Sequence, residues 1–144
     1  MYRRILVPLE HSAYDTIILD HVRGLARHCG AELVLLHVAD GWAARNLGQL
    51  ALRESEEMRG DRAYIERRVA ELLADGFAAE SVLATGDPAS EIVAGATREG
   101  CDLIAMATHG HRWLQDLLRG STASAVRHAS PIPVLFVRGR PGQG

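Results

Sequence analysis

The sequence has few cysteines and no long apolar run. Its two cysteines, Cys29 and Cys101, stand in no metal-binding or redox spacing, so we expect two reduced structural thiols and no disulfide framework. No stretch approaches the roughly 20 apolar residues that cross a bilayer, and Arg3-Arg4 lead directly into a strand pattern. We therefore expect a cytoplasmic protein without a membrane-spanning segment.

The chain also lacks a large excess of charge of either sign. The chain has 16 basic residues, none of them lysine, and 18 acidic residues, for a formal net charge of −2 at pH 7. Such a chain has no field that attracts nucleic acid, so nucleic acid is not an expected partner. The apolar share of 47% and the length of 144 residues fit one globular domain. We place this domain at residues 1–138 and a flexible Gly/Pro-rich tail at residues 139–144.

Strand and helix patterns alternate along the chain. Short apolar runs predict five strands: Arg4–Leu9, Glu32–Val38, Ser81–Thr85, Asp102–Ala107 and Ile132–Val137. Apolar residues at helical spacing predict four helices: Ala13–His28, Asp61–Ala74, a helix that Asp87 caps and that ends near Gly100, and a helix after Gly120-Ser121-Thr122. Residues 40–59, which contain Gly41 and Gly48, predict a loop with partial helix that Gly60 separates from the next helix.

The alternation predicts an open α/β domain, with a parallel sheet covered by helices on both faces. Right-handed crossovers and a single reversal of winding predict the strand order 3-2-1-4-5, with the third strand at an edge. Strands 1 and 4 are then neighbours at the reversal, and such sheets bind ligands outside the carboxyl ends of those strands. The loops at residues 8–12 and 107–121 meet there, and Val38 and Asp40 form the adjoining wall.

The segment after the fourth strand carries the signal for an anion site. Gly110 is followed by nine residues, then by Gly120-Ser121 and a helix. The first N–H groups of a helix have no partner within it, and the helix dipole adds positive charge, so an anion is a natural occupant. Arg112 and Arg119 favour the same interpretation. A simple capped helix explains the spacing equally well, and the lack of a lysine after Gly120 excludes a Walker A motif.

Five stretches resemble the universal stress protein family across nearly the whole chain. They are Ile5-Leu-Val-Pro-Leu-Glu-His-Ser, Leu36-His-Val, Gly86-Asp-Pro, Met106-Ala-Thr-His-Gly with Gly120-Ser121, and Pro133-Val-Leu-Phe-Val. Nucleotide-binding members of that family carry the pattern G-x-x-G, nine residues, then G-[S/T]. Here the pattern reads Ala107-Thr-His-Gly110, nine residues, then Gly120-Ser121, so three of the four specified positions match.

The resemblance implies a homodimer with a Rossmann-like fold of the adenine-nucleotide α-hydrolase type. It places ATP in the crevice, with Mg²⁺ or Mn²⁺ held by the phosphates and not by protein ligands. The implied adenine neighbours are Pro8, Val38 and Met106, the ribose lies near Glu10, and the phosphates lie on Gly110, Gly120, Ser121 and Thr122. The full implied nucleotide site also includes Leu9, Ala107, His109 and Arg112.

Two departures from the family pattern leave an alternative open. Ala107 replaces the first glycine, and if that position needs a positive φ the strain costs about 1 kcal/mol. Glu10 stands where the family has aspartate, so its carboxylate is one methylene longer. The alternative is a dimeric stress adaptor that has lost its nucleotide. An adenylyl-transfer enzyme is a third possibility, but no substrate motif supports it.

No catalytic arrangement is expected from these loops, so the predicted role is binding with at most slow hydrolysis. Bound ATP would bias residues 111–119 and 42–59 and so change the surface presented to a protein partner.

The last strand carries an association signal. An apolar strand at the sheet edge is hazardous when bare, and pairing with a twofold copy would cover the dimer edge of Val134, Leu135, Phe136 and Val137.

Isolated histidines and tryptophans have competing interpretations. A metal cluster of His11, His109 and His111 matches no common spacing, so solvent or phosphate contacts are favoured. His37 is expected to be a satisfied core or rim residue. Trp42 stacks on a base or packs under its loop, and Trp113 covers apolar surface or a partner.

Overall fold

A computed structural model describes residues 1–40, 50–108 and 122–139 of the chain. Five strands and four helices alternate within these ranges. The strands are β1 (Arg4–Leu9), β2 (Glu32–Asp40), β3 (Ala79–Gly86), β4 (Leu103–Thr108) and β5 (Val134–Arg138). The helices are α1 (Tyr14–Cys29), α2 (Leu50–Ala74), α3 (Pro88–Arg98) and α4 (Thr122–Ala129). The alternation follows the apolar runs and helical spacings of the sequence.

The strands form one parallel sheet in the order β3-β2-β1-β4-β5, which confirms the predicted order and fold class. β3 lies at one edge, as expected, and β5 lies at the other. Each strand pairs in register with its neighbours, so Ile5 of β1 lies opposite Leu33 of β2 and Leu103 of β4. The winding reverses between β1 and β4, which places the ligand crevice of such sheets at their carboxyl ends.

The two faces of the sheet bury separate apolar clusters. Alternate residues of a strand point to opposite faces, so Ile5 and Val7 pack with α1 and α2, whereas Leu6 packs with α3 and α4. Ile65 of α2 belongs to the first cluster and Val126 of α4 to the second. Because both faces are covered, the central strands are apolar at nearly every position and not at alternate ones.

Capping residues end and begin the helices where the sequence predicts. Gly30 has φ of 69° after α1, a left-handed conformation that glycine adopts without strain. Asp87 accepts a hydrogen bond from the Ser90 N–H at 3.0 Å, and Pro88 occupies the first turn of α3. Both features are confirmed.

A charged network ties the amino ends of the strands together. Asp102, just before β4, accepts hydrogen bonds from the N–H groups of Arg3 and Arg4 at the start of β1. Burial alone would raise the pKa of Asp102, but these N–H groups lower it below its usual value. The Arg4 guanidinium contacts the carboxylates of Glu32, Glu80 and Glu99. The cavity of about 170 Å³ beside Arg4 therefore lies at the opposite end of the sheet from the predicted site.

Residues 50–60 correct one prediction. α2 begins at Leu50 and continues through Gly60, whereas the sequence predicted a helix start near Asp61. A glycine inside a helix costs about 1 kcal/mol relative to alanine, and good helix formers on both sides outweigh that cost. β3 is also longer than the predicted Ser81–Thr85. Trp42 lies outside the described residues.

The chain remains packed just beyond β5. Pro133 precedes that strand and accepts a hydrogen bond from the Ile104 N–H at 3.1 Å, and β5 starts at Val134 and not at Ile132. Gly139 is buried, and its N–H donates to the carbonyl of Thr108 at 3.1 Å. Residues 140–144 lie outside the described part of the chain. No helix in the described ranges combines the length and apolar character that a bilayer span requires.

Two glycine variants test the packing of this fold. Gly60→Ala is expected to raise the free energy of unfolding by about 0.5–1 kcal/mol, because alanine loses less entropy in a helix and its Cβ meets nothing within 4 Å. Gly139→Ala is expected to lower it by about 1–3 kcal/mol, because the added Cβ would lie 2.7 Å from Cδ1 of Ile17. Urea unfolding measures both. A destabilised Gly60→Ala protein would contradict the continuous helix.

Candidate functional site

The crevice opens because β1 and β4 pair over a short distance. Their backbones pair at Ile5 with Leu103 and at Leu6 with Ile104. The β1–β2 pairing, by comparison, continues to Leu9. β1 and β4 thus share register only near their amino ends, where the Asp102 network holds them. The carboxyl ends of these two strands are the place where a doubly wound sheet accommodates a ligand.

Apolar side chains line the side of this region that faces α3 and α4. Met106 of β4 is buried in that cluster, and Val38 of β2 packs against the same cluster. By strand alternation Pro8 points to the face of Leu6, which also belongs to it. The structure therefore brings the three predicted adenine neighbours to one face of three adjacent strands. Leu9 ends β1 and is buried on the opposite face.

Ala107 does not have the strained conformation that the sequence left open. It lies inside β4, opposite Val137 of β5, and packs against the cluster on the α1 and α2 face. Among the described residues other than glycine, His11 is the one with a positive φ, at 64°. A methyl group at position 107 therefore carries no left-handed strain, and it contacts the core.

A buried carboxylate organises the loop after β1. Asp15 is 2% exposed and accepts hydrogen bonds from the N–H groups of Glu10 at 3.0 Å, His11 at 2.9 Å and Ser12 at 3.2 Å. The hydroxyl of Ser12 accepts from the Tyr14 N–H at 3.2 Å, but the N-cap of α1 is Ala13, whose side chain makes no capping bond. The bonds to Asp15 satisfy N–H groups of the loop that precedes α1. Glu10, the predicted ribose ligand, is therefore held by its backbone.

Tyr64 of α2 connects this carboxylate to the neighbouring helix. Its hydroxyl donates to Asp15 at 2.5 Å, and its ring stacks on His11 with centroids 3.8 Å apart. Burial and the negative charge of Asp15 raise the pKa of Tyr64, whereas Arg68 and Arg67, whose guanidinium groups lie over the ring, oppose the increase. The hydroxyl thus remains a donor across the physiological pH range.

Two histidines contact a second carboxylate, that of Asp61 on α2. Asp61 Oδ1 lies 3.0 Å from His11 Nδ1, and Asp61 Oδ2 lies 3.3 Å from His37 Nε2. His37 is 8% exposed, and its Nδ1 lies 2.8 Å from the carbonyl oxygen of Leu9. The expectation that His37 is a satisfied buried residue is confirmed. We call His11, His37 and Asp61 the histidine bridge.

Sequence reasoning missed Asp15, Asp61 and Tyr64. The spacing Ser12-Ala-Tyr-Asp15 is a capping-box pattern, and it was sufficient to identify Asp15. Nothing local identifies Asp61 or Tyr64, because they are 50 and 49 residues from the side chains they contact.

Part of the predicted site lies outside the described residues. This part comprises His109, Gly110, Arg112, Gly120 and Ser121, together with His111 and Trp113. Thr122 is the first residue of α4 and is exposed. Within residues 1–40, 50–108 and 122–139, no group of three His, Cys, Asp or Glu side chains is arranged to hold a metal ion. Buried Cys101 has its thiol pKa raised to about 11, chiefly by burial, which makes it an inert thiol.

The strand order and the reversal of winding define a doubly wound α/β domain. The sequence model of the universal stress protein family matches residues 1–138, and the chain belongs to this family. Universal stress protein MJ0577 of Methanocaldococcus jannaschii is 32% identical, and the match covers 96% of each chain. The solved structure of MJ0577 matches with a TM-score of 0.82 at 31% identity, covering 97% of this chain and 98% of that one.

Two more distant solved structures contain adenine nucleotides. One is a universal stress protein in complex with cAMP, at 19% identity and a TM-score of 0.71, covering 95% of this chain and 97% of that one. The other, from Archaeoglobus fulgidus, is in complex with dAMP, at 21% identity and a TM-score of 0.64, covering 94% and 97%. At these identities the likeness shows the fold alone.

Removing the Asp15 carboxylate tests its role in the loop. Asp15→Ala is expected to lower the free energy of unfolding by about 2–3 kcal/mol, because three N–H groups and the Tyr64 hydroxyl lose a charged acceptor. Tyr64→Phe keeps the ring over His11 and is expected to cost about 1 kcal/mol. Urea unfolding measures both values. Equal losses in the two variants would contradict the central role of Asp15.

Proposed function

We propose that the chain binds an adenine nucleotide between the carboxyl ends of β1 and β4, and that this nucleotide is ATP. The observation that carries this proposal is the short pairing of β1 and β4 at the reversal of winding. In a family member with this topology, we expect the apolar strand ends, the Glu10 carboxylate and the N-terminus of α4 to lie around that region. The cAMP and dAMP complexes of relatives support the choice of adenine.

The proposed site has apolar groups for the adenine ring and polar groups for the ribose and the phosphates. Val38 and Met106 share one apolar cluster at the strand ends, which fits the faces of an adenine ring. Glu10 follows β1 directly, and a carboxylate there can accept hydrogen bonds from ribose hydroxyls. Thr122 begins α4, whose N-terminal N–H groups and dipole favour phosphate. Of the other proposed phosphate ligands, Gly120 and Ser121 directly precede Thr122 in the sequence, and nine residues separate Gly110 from Gly120.

Mg²⁺ or Mn²⁺ would accompany the nucleotide on its phosphates. The described residues offer no three-ligand cluster, so we assign no protein side chain to the metal. Magnesium commonly keeps water ligands and binds substrate phosphates in this manner. The ion would neutralise phosphate charge and thereby help the N–H groups of the loop to approach.

The extended conformation of Ala107 favours nucleotide binding over the nucleotide-free adaptor. The case for a lost ligand rested on strain at residue 107 and on the longer Glu10 side chain. Ala107 pairs inside β4 and its side chain packs on the core, so the first reason no longer applies. We therefore propose a nucleotide-responsive module in which ATP alters the surface offered to a protein partner, with at most slow hydrolysis.

Two substitutions at the glycine pattern test this site. Gly120→Val and Ser121→Glu are expected to weaken ATP binding at least tenfold, the first by blocking close approach of the backbone and the second by placing negative charge against phosphate. Calorimetric titration with ATP and Mg²⁺ measures the affinity. Gly24→Val is the matched control, because a Cβ at residue 24 meets nothing within 4 Å.

Unchanged affinity in both site variants would refute this location. Heating freshly purified protein and identifying the released small molecules gives an independent readout. Adenine nucleotide in the released fraction supports the proposal, whereas protein that neither releases nor binds one would establish the nucleotide-free adaptor.

We also propose a homodimer through β5. Val134, Leu135, Phe136 and Val137 are all partly buried in the single chain, although β5 is the last strand of the sheet. A strand edge with apolar side chains is protected when a second copy continues the sheet. A twofold axis at this edge would make the contact self-complementary.

A charge at the β5 edge tests the dimer. Leu135→Lys is expected to shift the protein from twice the chain mass towards the mass of one chain, because pairing would bury a charged group. Leu73→Lys, on an apolar side chain of α2 that is 53% exposed, is expected to leave the mass unchanged. Sedimentation velocity measures the mass, and urea unfolding shows whether each variant is folded. A folded Leu135→Lys dimer would exclude β5 as the interface.

A further inference from the structure

The His37 ring makes two contacts that require different numbers of protons. Its Nδ1 lies 2.8 Å from the Leu9 carbonyl, which only accepts hydrogen bonds, so Nδ1 must carry hydrogen. In a neutral ring Nε2 then carries only a lone pair. Nε2 faces Asp61 Oδ2 at 3.3 Å, and an ionised carboxylate also only accepts. The contact therefore becomes attractive only when one additional proton is bound.

The other half of the histidine bridge has no such requirement. Asp61 Oδ1 lies 3.0 Å from His11 Nδ1, and a neutral His11 ring can carry its hydrogen on that nitrogen. His11 is thus a donor to Asp61 in its neutral form as well as in its charged form. The additional proton is therefore needed only for the contact between His37 and Asp61.

The bridge holds both sides of Glu10. His37 bonds the carbonyl of Leu9, which precedes Glu10, and Asp61 bonds the side chain of His11, which follows it. His11 has a φ of 64°, a left-handed conformation that is strained for a residue other than glycine. Contacts from α2 must therefore keep that residue in place.

The histidine bridge is only partly exposed to solvent. The side chains of His37 and Asp61 are 11% and 21% exposed, so their interaction is screened less than a surface ion pair. Among the described residues, ionisable groups that contact His11, its loop or the Tyr64 ring include Asp15 of α1, Tyr64, Arg67 and Arg68 of α2, and Glu10 of the loop. Tyr64 donates to the Asp15 carboxylate and stacks on His11.

We propose that Asp61 is a positioning residue for the nucleotide site, and that a proton shared with His37 decides whether it holds the loop that carries Glu10 at one end only, through His11, or at both ends, through His11 and His37. The effect on nucleotide affinity rests on the proposed function, whereas the effect on the loop does not. The His37 contact of the bridge is attractive only while that additional proton is bound.

Substitution by asparagine separates proton binding from simple structural support. In Asp61→Asn the amide oxygen can accept from His11 while the amide N–H₂ donates to the lone pair of neutral His37. The bridge then closes with a neutral His37, and the amide can turn its oxygen towards a charged ring, so this variant is expected to hold the loop similarly in both protonation states. Asp61→Ala provides neither contact and is expected to loosen the loop at every pH, although Asp15 still accepts from its N–H groups. Asp20→Asn, at an exposed aspartate of α1, is the matched control.

The first experiment uses the ligand-free protein. The amide signals of Glu10, His11 and Ser12 are recorded by nuclear magnetic resonance between about pH 5.5 and 8, together with the ring nitrogens of His37. In the wild type and Asp20→Asn the loop amides are expected to shift together with His37 Nε2. In Asp61→Asn they are expected to stay constant. Loop amides that titrate equally in Asp61→Asn, or do not respond in the wild type, would overturn the proposal.

The second experiment measures ATP affinity by calorimetry over the same pH range. ATP phosphate itself titrates near about pH 6, so wild type and Asp61→Asn are compared at each pH and the ligand contribution cancels. Wild-type affinity relative to Asp61→Asn is expected to fall about three- to tenfold from the acidic to the basic end. A constant ratio would overturn the link to the site. Absence of ATP binding in every protein would refute the proposed function, and the loop amides would then decide the inference.

Discussion

One buried carboxylate, Asp15, holds the loop on which the site region depends. It accepts three consecutive loop N–H groups and the Tyr64 hydroxyl, so a single charge satisfies four donors. Such hydrogen bonds are stronger than neutral ones, and the low exposure of Asp15 limits competition from water. The loop from β1 to α1 is consequently tied to α2 as well as to its own helix. This arrangement allows His11 to remain in a left-handed conformation.

The two ends of the sheet are held differently. At the amino ends, Asp102 binds the backbone of β1, and Arg4 gathers carboxylates from other elements. At the carboxyl ends, β1 and β4 no longer pair. In doubly wound sheets this is the end at which loops bind ligands on the scaffold. The polar contacts of α2 lie near these carboxyl ends, on the side of β2.

Much of the fold was predictable because each element has a strong local signal. Buried parallel strands need continuous apolar runs, and the runs near Ile5, Leu33 and Ile104 supply them. Once the elements were known, the rules of handedness left few strand orders. The prediction failed at Gly60, where one unfavourable residue was given more weight than the helix formers around it. It also left open a strain at Ala107 that the extended geometry of β4 removes.

The sequence by itself determined the alternation of elements, the strand order and the family, because periodicity and motif spacing are properties of neighbouring residues. Only the tertiary structure decided which side chains support the loop after β1. Asp61 and Tyr64 meet that loop because α2 packs on the same face of the sheet as α1, which brings together residues some 50 positions apart. Such contacts depend on how two helices pack on one sheet, and no local sequence pattern predicts that packing.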